Sequence, residues 1–375
     1  MKNIYLDHAA TTPLTNSVKE YLISILDDFG NPSSLYSLSE KPRQIILDAR
    51  KSVAKFINAD SKDIYFTSGG SASNTLAIKG YYRQNDCTIF YSPIAHKSIL
   101  KCVESYHNSI PLKVNKDGLI DIHDLEEYLD VCINIPLVVI DRANSEIGTI
   151  QDIEQIINIT HLYNGIVYLD CTGSIPTITI DVKKLNVDML GFSGHKIHAL
   201  KGCGVLYKKE NIELEPLIYG SQEQGLIGGT ENALGIASLG KAIENYDYSS
   251  ISSTNRDYVY EYITKNIPDS YLVGASIESG NRLPHNLYMC FRGVEGESLM
   301  ILLDMNGIQV STGSACTSGD LTPSTTLSAI GMDEQDIHSC IRLSFSGEET
   351  QEELDYVCGI LKQCVASLRN FNKNK

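Results

Sequence analysis

At 375 residues the chain is long enough for more than one domain, and its 42% hydrophobic and 21% charged residues are typical of a globular protein with a large buried core. The formal net charge of -15 argues against broad binding to the phosphate backbone of nucleic acids or to an anionic membrane surface. No apolar run approaches the roughly 20 residues of a membrane span and the N-terminus lacks the apolar stretch of a signal peptide, so we expect a cytoplasmic protein without a membrane partner.

The N-terminal two thirds of the chain alternate between helical and strand-like patterns. Helical apolar spacing covers residues 15–29 and 41–57. Short apolar runs predict strands at 64–67, 88–91, 137–141, 166–170, 189–192 and 204–207. Helical segments separate most of these strands. This alternation favours an α/β fold with a mostly parallel sheet that is covered on both faces.

The pattern changes after about residue 245. Further helical and strand-like runs follow at 286–291, 296–305, 341–345 and 350–368. These runs suggest a smaller α+β domain. We therefore expect a large domain over residues 15–248, and a small domain formed by residues 1–14 together with 249–375.

The ten cysteines of the chain show neither C-x-x-C pairs nor the Cys/His spacing of a zinc site, so no metal is expected. Most of them are expected to be small buried hydrophobic residues in a reducing compartment. Cys316 differs, because it lies in a small, polar run over 311–319 that cannot bury its own thiol. An exposed thiol of this kind is either a liability or a reagent.

A Ser-Gly-His-Lys turn at 193–196 lies between two apolar runs, 187–192 and 204–207, that predict short buried strands. A lysine held there by rigid elements is near-buried, can lose its proton and can form a Schiff base. Lone lysines on turns are far more commonly surface residues. However, Asp170 ends another predicted strand, at the edge where open α/β sheets bind ligands. An aspartate for the pyridinium nitrogen and a lysine, here Lys196, for the aldehyde carbon are what a pyridoxal phosphate enzyme needs.

A Gly/Ser turn at 68–71 follows a predicted strand and opens a helix. Its backbone N–H groups and the Ser71 hydroxyl would form an anion cradle, although such turns are common and most bind nothing. Ser193 and His195 would add donors to the same phosphate. Thr230, on a Gly-rich loop, offers a further hydroxyl that could arrive from a neighbouring subunit.

His96 and Arg342 are two more candidates. His96 follows the strand at 88–91, where an imidazole can lie on a pyridine ring and move protons, although a lone histidine there is more commonly structural. Arg342 interrupts an apolar strand-like run. A buried guanidinium usually meets a carboxylate, which is either a fixed protein partner or the carboxylate of an amino-acid substrate.

From Tyr5 to Leu368 the chain resembles the cysteine desulfurases of the NifS and IscS kind, within the class V aminotransferase fold. The motifs that carry the resemblance lie at 5–7, 10–13, 30–32, 66–69, 96–98, 146–149, 193–196, 294–298, 313–318 and 341–342. Several of these motifs are weak alone, and their joint spacing is specific.

The resemblance implies a homodimer with the aspartate-aminotransferase-like fold of pyridoxal-phosphate-dependent transferases. It also implies that pyridoxal 5'-phosphate is joined to Lys196, with Asp170 on the pyridine nitrogen and His96 stacked over the ring. The other implied cofactor-binding residues are Gly70, Ser71, Ser145, Ser193, His195 and, from the partner subunit, Thr230.

The resemblance further implies that L-cysteine displaces Lys196, that Arg342 grips the substrate carboxylate and that Asn31 belongs to the substrate site. Cys316 as a thiolate would then attack the substrate sulfur, leaving alanine in the site and a persulfide for a sulfur-acceptor protein. Two alternatives remain open: a selenocysteine lyase or another β-eliminating enzyme with the same cofactor, and a weakly active scaffold homologue.

The chain departs from the family pattern around the cofactor. Ser145 and Gly173 stand where the family usually has Asn and Gln, so two donors to the ring hydroxyl are shortened or removed. An unreplaced donor costs about 1 to 3 kcal/mol, although Ser145, Thr172 or a water could compensate. Because the reactive groups all remain, including Lys196 and Cys316, we expect a divergent but active enzyme.

Overall fold

The computed structural model describes residues 3–244, 246–312 and 323–373. The predicted nucleophile Cys316 lies outside these ranges. In chain order, the strands of the described residues are β1 (Ile4–Tyr5), β2 (Ile64–Thr67), β3 (Cys87–Tyr91), β4 (Ser109–Pro111), β5 (Ile135–Asp141), β6 (Ile166–Asp170), β7 (Met189–Ser193), β8 (Gly204–Lys208), β9 (Ser270–Leu272), β10 (Asn286–Phe291), β11 (Ile308–Gln309) and β12 (Cys340–Ser344).

Helices occupy most of the remaining chain. In the same order they are α1 (Asn16–Ser24), α2 (Glu40–Phe56), α3 (Gly70–Gln84), α4 (Lys97–Val103), α5 (Ile122–Asp130), α6 (Ile153–Leu162), α7 (Val182–Leu185), α8 (Ala233–Glu244), α9 (Thr254–Asn266), α10 (Gly296–Met305), α11 (Thr325–Ala329), α12 (Glu334–Ile337) and α13 (Gln351–Lys373). Several begin at polar side chains that cap the first turn, such as Thr15, Asp121 and Asp152. None of the helices in the described ranges is long and apolar enough to cross a membrane.

A seven-stranded sheet, as far as the structure describes the chain, has the order β2-β8-β7-β6-β5-β3-β4. Strands β3 to β7 run parallel, and β8 is antiparallel to both β2 and β7. The predicted mostly parallel α/β sheet is therefore confirmed. Side chains alternate between its faces. On β5, for example, Val138 and Ile140 join one core cluster, and Leu137 and Val139 join another.

The C-terminal part of the chain builds a smaller unit. Strands β12, β10 and β9 form an antiparallel sheet, and β1 pairs with β11. A separate core cluster contains Ile4 and Leu6 from the N-terminus, and otherwise residues between Val259 and Val365. This cluster supports the expected small domain, although the domain division itself stays a prediction.

The structure differs from the predicted elements mainly at their ends and in the shortest strands. The helix predicted over 15–29 ends at Ser24, and the one predicted over 350–368 continues to Lys373. The sequence analysis missed β1, β4, β9 and β11. Each of these has only two or three residues, which is too few to show an apolar period.

Candidate active site

A cleft of about 600 Å³ opens at the carboxyl ends of the parallel strands β5, β6 and β7. Segments from the N-terminus and from the C-terminal unit close its other side, through residues such as Ala10, Ser311 and Ser324. It brings together most of the predicted site residues, namely Gly70, Ser71, His96, Ser145, Asp170, Ser193, His195, Lys196 and Arg342. The fold thus gathers groups that are up to 272 positions apart in the sequence.

Lys196 ends a 3-10 turn that directly follows β7. Its Nζ donates to the Ala10 carbonyl at 2.8 Å and also to the Ala9 carbonyl. Burial and the nearby Arg342 guanidinium lower the pKa of Lys196 to about 8, because both disfavour the charged ammonium. About one tenth of this amine is therefore neutral, and so nucleophilic, at pH 7, far more than for a lysine in water.

Asp170 ends β6 and is buried at the floor of the cleft. Its carboxylate accepts hydrogen bonds from Asn74 Nδ2 at 2.7 Å and from the Thr172 backbone N–H at 2.8 Å. Asn74, on α3, is oriented in turn by the Tyr168 hydroxyl, which donates to its Oδ1 at 2.5 Å. These donors fix the orientation of the Asp170 carboxylate at the cleft floor.

His96 is linked to the same network through Ser98. Asn74 Nδ2 donates to Ser98 Oγ at 2.9 Å, and Ser98 Oγ lies 2.7 Å from His96 Nδ1. The Ser98 backbone N–H also donates to Nδ1, which assigns the histidine proton to Nε2. Burial lowers the pKa of His96, so the ring is neutral and presents an N–H donor. The sequence analysis identified His96 but missed Asn74, Ser98 and Tyr168.

The predicted anion cradle lies at the start of α3, which has 15 residues. An added Cβ on Gly70 would come within 2.7 Å of Thr172 Oγ1, so glycine leaves room for that hydroxyl. Thr172 Oγ1 is buried and has no hydrogen-bond partner among the described residues. Ser71 and Ser193 line the same end of the cleft. Hydroxyl and backbone donors converge here, as an anion requires.

His195 also faces the cleft, and its Nδ1 lies 3.0 Å from Thr11 Oγ1. Burial, with further effects of Lys196 and Lys201, lowers the pKa of His195 to about 4. The ring is therefore neutral at physiological pH. It can donate one N–H hydrogen bond to an anion but adds no positive charge.

Arg342 is buried on β12 and points to the cleft. Its Nη2 donates to Asp7 Oδ1 at 2.7 Å, and its Nη1 donates to the Ser145 carbonyl at 2.9 Å. Its Nε is buried without a partner in the described part of the chain. Of the two alternatives left open by the sequence, the structure therefore shows a fixed protein partner, Asp7.

Gly173 is packed too tightly for the glutamine that the family pattern has there. An added Cβ would lie 2.7 Å from the Ala143 carbonyl oxygen and 3.4 Å from Ser145 Cβ. The loops after β5 and β6 thus approach each other more closely than a larger side chain would permit.

Asn31 and Thr230 do not line this cleft. They lie instead around another cavity, of about 380 Å³, together with the exposed Phe29. Cys316 lies outside the described residues. Ser311 and Ser324, on either side of it in the sequence, both line the cleft that holds Lys196.

Known proteins resemble this chain over most of its length. The family model for aminotransferase class-V matches residues 4–357. A cysteine desulfurase IscS of Dictyoglomus turgidum is 38% identical over 388 residues, which cover 100% of this chain and 97% of that protein. A solved NifS-like protein superposes with a TM-score of 0.89 at 28% identity, covering 97% of this chain and 100% of the other. A structure of SspA in complex with cysteine has a TM-score of 0.79 at 32% identity, covering 92% and 100%.

Proposed function

Starting from the fact that the chain belongs to the class V aminotransferase family, we propose that it is a pyridoxal-phosphate-dependent cysteine desulfurase. It converts L-cysteine to L-alanine and passes the sulfur atom, through a persulfide on Cys316, to an acceptor protein. The observation that carries this proposal is that Lys196, an amine with a lowered pKa, and the carboxyl group of Asp170 line the same cleft. Relatives named cysteine desulfurase and matched over nearly the full chain support the choice of reaction.

The residues of the cleft fit pyridoxal phosphate. The amine of Lys196 can bind its aldehyde carbon, and Asp170 can hold the proton of its ring nitrogen. The start of α3, together with Ser71 and Ser193, can hold its phosphate. The buried Thr172 hydroxyl, which has no hydrogen-bond partner among the described residues, can bind the phosphate as well. When bound, the cofactor supplies an electron sink that weakens the bonds around the substrate α-carbon.

Side chains of the cleft carry out the proton transfers. Lys196, once released by the incoming substrate amine, holds at Nζ the proton that moves to and from the α-carbon. His96 keeps its ring neutral and offers Nε2–H above the cleft, so it can shuttle a proton without adding charge. Burial of the cleft floor excludes water from these transfers.

Arg342 can receive the substrate carboxylate only in competition with its present partner. Its Nη2 is held by Asp7, whereas its buried Nε offers an unused donor toward an incoming anion. A carboxylate at that donor would form a charge-assisted hydrogen bond. We infer that Arg342 orients cysteine while Asp7 remains close enough to keep the guanidinium in place.

Cys316 is proposed as the sulfur acceptor within the chain. Its thiolate attacks the substrate sulfur, and a sulfur–sulfur bond forms as the carbon–sulfur bond breaks. The electron pair of the broken bond stays with the carbon, which takes up a proton and leaves as alanine. The cleft-lining positions of Ser311 and Ser324 support this role, since only twelve residues separate them.

The proposed enzyme is a homodimer in which Thr230 of the partner subunit completes the phosphate site. The position of Thr230 away from the cleft of its own chain supports this arrangement. The apolar side chain of Phe29, which lines that cavity, is 80% exposed, and Leu35, six positions later in the sequence, is 100% exposed; exposed apolar surfaces commonly mark interfaces.

The function is tested by the absorbance of the lysine-bound cofactor and by alanine released from cysteine. Lys196→Ala is expected to abolish the long-wavelength absorbance and turnover, whereas the exposed Lys201→Ala retains both. A protein that neither binds the cofactor nor releases alanine would contradict the proposal.

A second pair of variants tests the persulfide. Cys316→Ala is expected to lose protein-bound sulfane sulfur, whereas the half-buried Cys132→Ala keeps it. Sulfide production by Cys316→Ala at the parent rate, with thiol present, would show that Cys316 is not the acceptor.

A further inference from the structure

Asp141 is a buried carboxyl that the chemistry proposed above does not use. It ends β5, is only 5% exposed and lines the same cleft as Asp170 and Lys196. Its Oδ1 is buried without a hydrogen-bond partner among the residues that the structure describes. An ionised carboxylate in that position is costly unless a positive charge or a donor arrives to compensate it.

Asp141 and Asp170 occupy paired positions on the adjacent parallel strands β5 and β6. Alternation places Asp141 on the sheet face of Val139, and Asp170 on that of Tyr168, and both of these residues belong to the same core cluster. Adjacent strands lie about 4.8 Å apart, so the two carboxyls stand side by side at the cleft floor.

The surroundings of the two carboxyls are unequal. Asp170 accepts hydrogen bonds from Asn74 and from the Thr172 backbone, whereas Oδ1 of Asp141 accepts none from the described residues. Burial raises the pKa of Asp141 to about 7, and the charge of Asp170 acts in the same direction, whereas the backbone of Asp141 and the nearby Ser92 hydroxyl act in the opposite direction. Without a bound cation, Asp141 is therefore the member of the pair that is protonated below about pH 7.

Other ionisable groups reach the cleft from the surrounding elements, and most are already neutral or paired. Arg342 is bound to Asp7, and burial lowers the pKa of His96 and raises that of Glu146. Lys97 begins α4 at the exposed side of the cleft, and Lys196 is partly neutral.

We propose that Asp141 and Asp170 form a carboxyl dyad that holds one proton in the empty cleft and releases it when a cationic aromatic ring nitrogen binds against Asp170. The inference rests on the proposed function, because pyridoxal phosphate supplies such a nitrogen. The proton leaves Asp141 for the solvent, or for the ring nitrogen when the ring enters neutral. Two negative charges then face one positive charge, which favours the protonated, electron-withdrawing form of the ring. Asp141 thus acts as a positioning residue, through Asp170.

Proton uptake on cofactor binding tests the dyad. Pyridoxal phosphate is titrated into full-length apoprotein by calorimetry in buffers of different ionisation enthalpy, with wild type and Asp141→Asn compared. At about pH 6 the wild type is expected to take up nearly one proton fewer per site than the variant. At about pH 8.5 the difference should vanish, because Asp141 is already ionised in the empty cleft. Equal proton counts at the lower pH would overturn the dyad.

A second measurement uses only the wild type, so it tests the dyad even if Asp141→Asn does not fold. The infrared difference spectrum between the empty and loaded protein at about pH 6 should show loss of a protonated carboxyl band. A spectrum without that loss also overturns the dyad. Failure of the wild type to bind the cofactor contradicts the proposed function as well, whereas binding without any proton difference contradicts the dyad alone.

Discussion

At the scale of single residues, the proton affinity of Lys196 is set by its neighbours. Burial and Arg342 lower the pKa of the amine, whereas Asp7 and Asp170 raise it, and the result is about 8. An amine in water titrates near 10.5, so the site keeps far more of this lysine in the neutral form. The chain thereby prepares a nucleophile from a residue that is normally a surface cation.

The rate at which apoprotein captures pyridoxal phosphate should therefore rise with pH and level off above about 8, because only the neutral amine attacks the aldehyde. Asp7→Asn removes a charge that raises this pKa, so the midpoint should move to lower pH. Stopped-flow absorbance at a series of pH values measures the rate of cofactor capture and so the midpoint of its pH dependence. The exposed Asp130→Asn serves as control, and an unmoved midpoint in Asp7→Asn would contradict the assigned electrostatics.

His285 gives a second prediction, about stability. Burial lowers the pKa of this histidine from 6.5 to about 3. Between these pH values the histidine is protonated in the unfolded chain and neutral in the folded chain. Stability is therefore complete above pH 6.5 and falls as the pH decreases toward 3, at up to about 1.4 kcal/mol per pH unit. In His285→Gln the free energy of unfolding in urea should depend less on pH between these values. The exposed His107→Gln should retain the wild-type slope.

At the scale of elements, helix α3 serves the site twice. Its first turn holds the proposed anion cradle at Gly70, and one turn later Asn74 donates a hydrogen bond to Asp170. Gly70 and Asn74 are four positions apart, so they lie on the same face of α3, and both line the cleft. The carboxyl ends of β5, β6 and β7 supply the opposing groups.

Asn74→Ala should lower the free energy of unfolding by about 1 to 3 kcal/mol, because it leaves the buried Tyr168 hydroxyl without its partner and removes one of the two donors to Asp170. It should also weaken cofactor binding, since Asp170 loses a donor. Urea unfolding and cofactor titration measure the two effects. Gln84→Ala, at the exposed C-terminal end of the same helix α3, should change stability by less than about 0.5 kcal/mol. Similar results for both variants would show that the network contributes little.

At the scale of the whole molecule, the cleft depends on segments far apart in the chain. Arg342 from the C-terminal unit reaches over the large sheet, and Asp7 from the N-terminus secures it at 2.7 Å. The N-terminal carbonyls of Ala9 and Ala10 hold the lysine amine on the same side. Residues of the N-terminus, of the large sheet and of the C-terminal unit therefore line one cleft.

The proposed homodimer is tested at this scale. Leu35→Glu places a charge at a fully exposed apolar side chain six positions after Phe29 in the sequence, and we expect it to shift the protein from dimer to monomer and to weaken cofactor binding. Light scattering after size exclusion measures the mass. Ile133→Glu, at a residue that is 98% exposed on a different loop, should remain dimeric. A monomeric wild type would contradict the assembly and the role of Thr230.

Much of the site could be predicted because its signals are local. The turn at 193–196, the strand end at Asp170 and the glycine at position 70 each combine a reactive residue with a short pattern that determines its surroundings. The same local logic predicted the main strands and the α/β class, because hydrophobic alternation with helices leaves few other arrangements.

The sequence by itself determined which reactive groups are present and the class of fold that carries them. Only the tertiary structure decided how those groups are tuned. Arg342 meets Asp7 across 335 positions, Asn74 reaches Asp170 across 96, and Asp141 stands beside Asp170 through strand register. The physical reason is that hydrogen bonds and pKa shifts depend on distances of a few ångströms in space, which chain packing sets and no local pattern encodes.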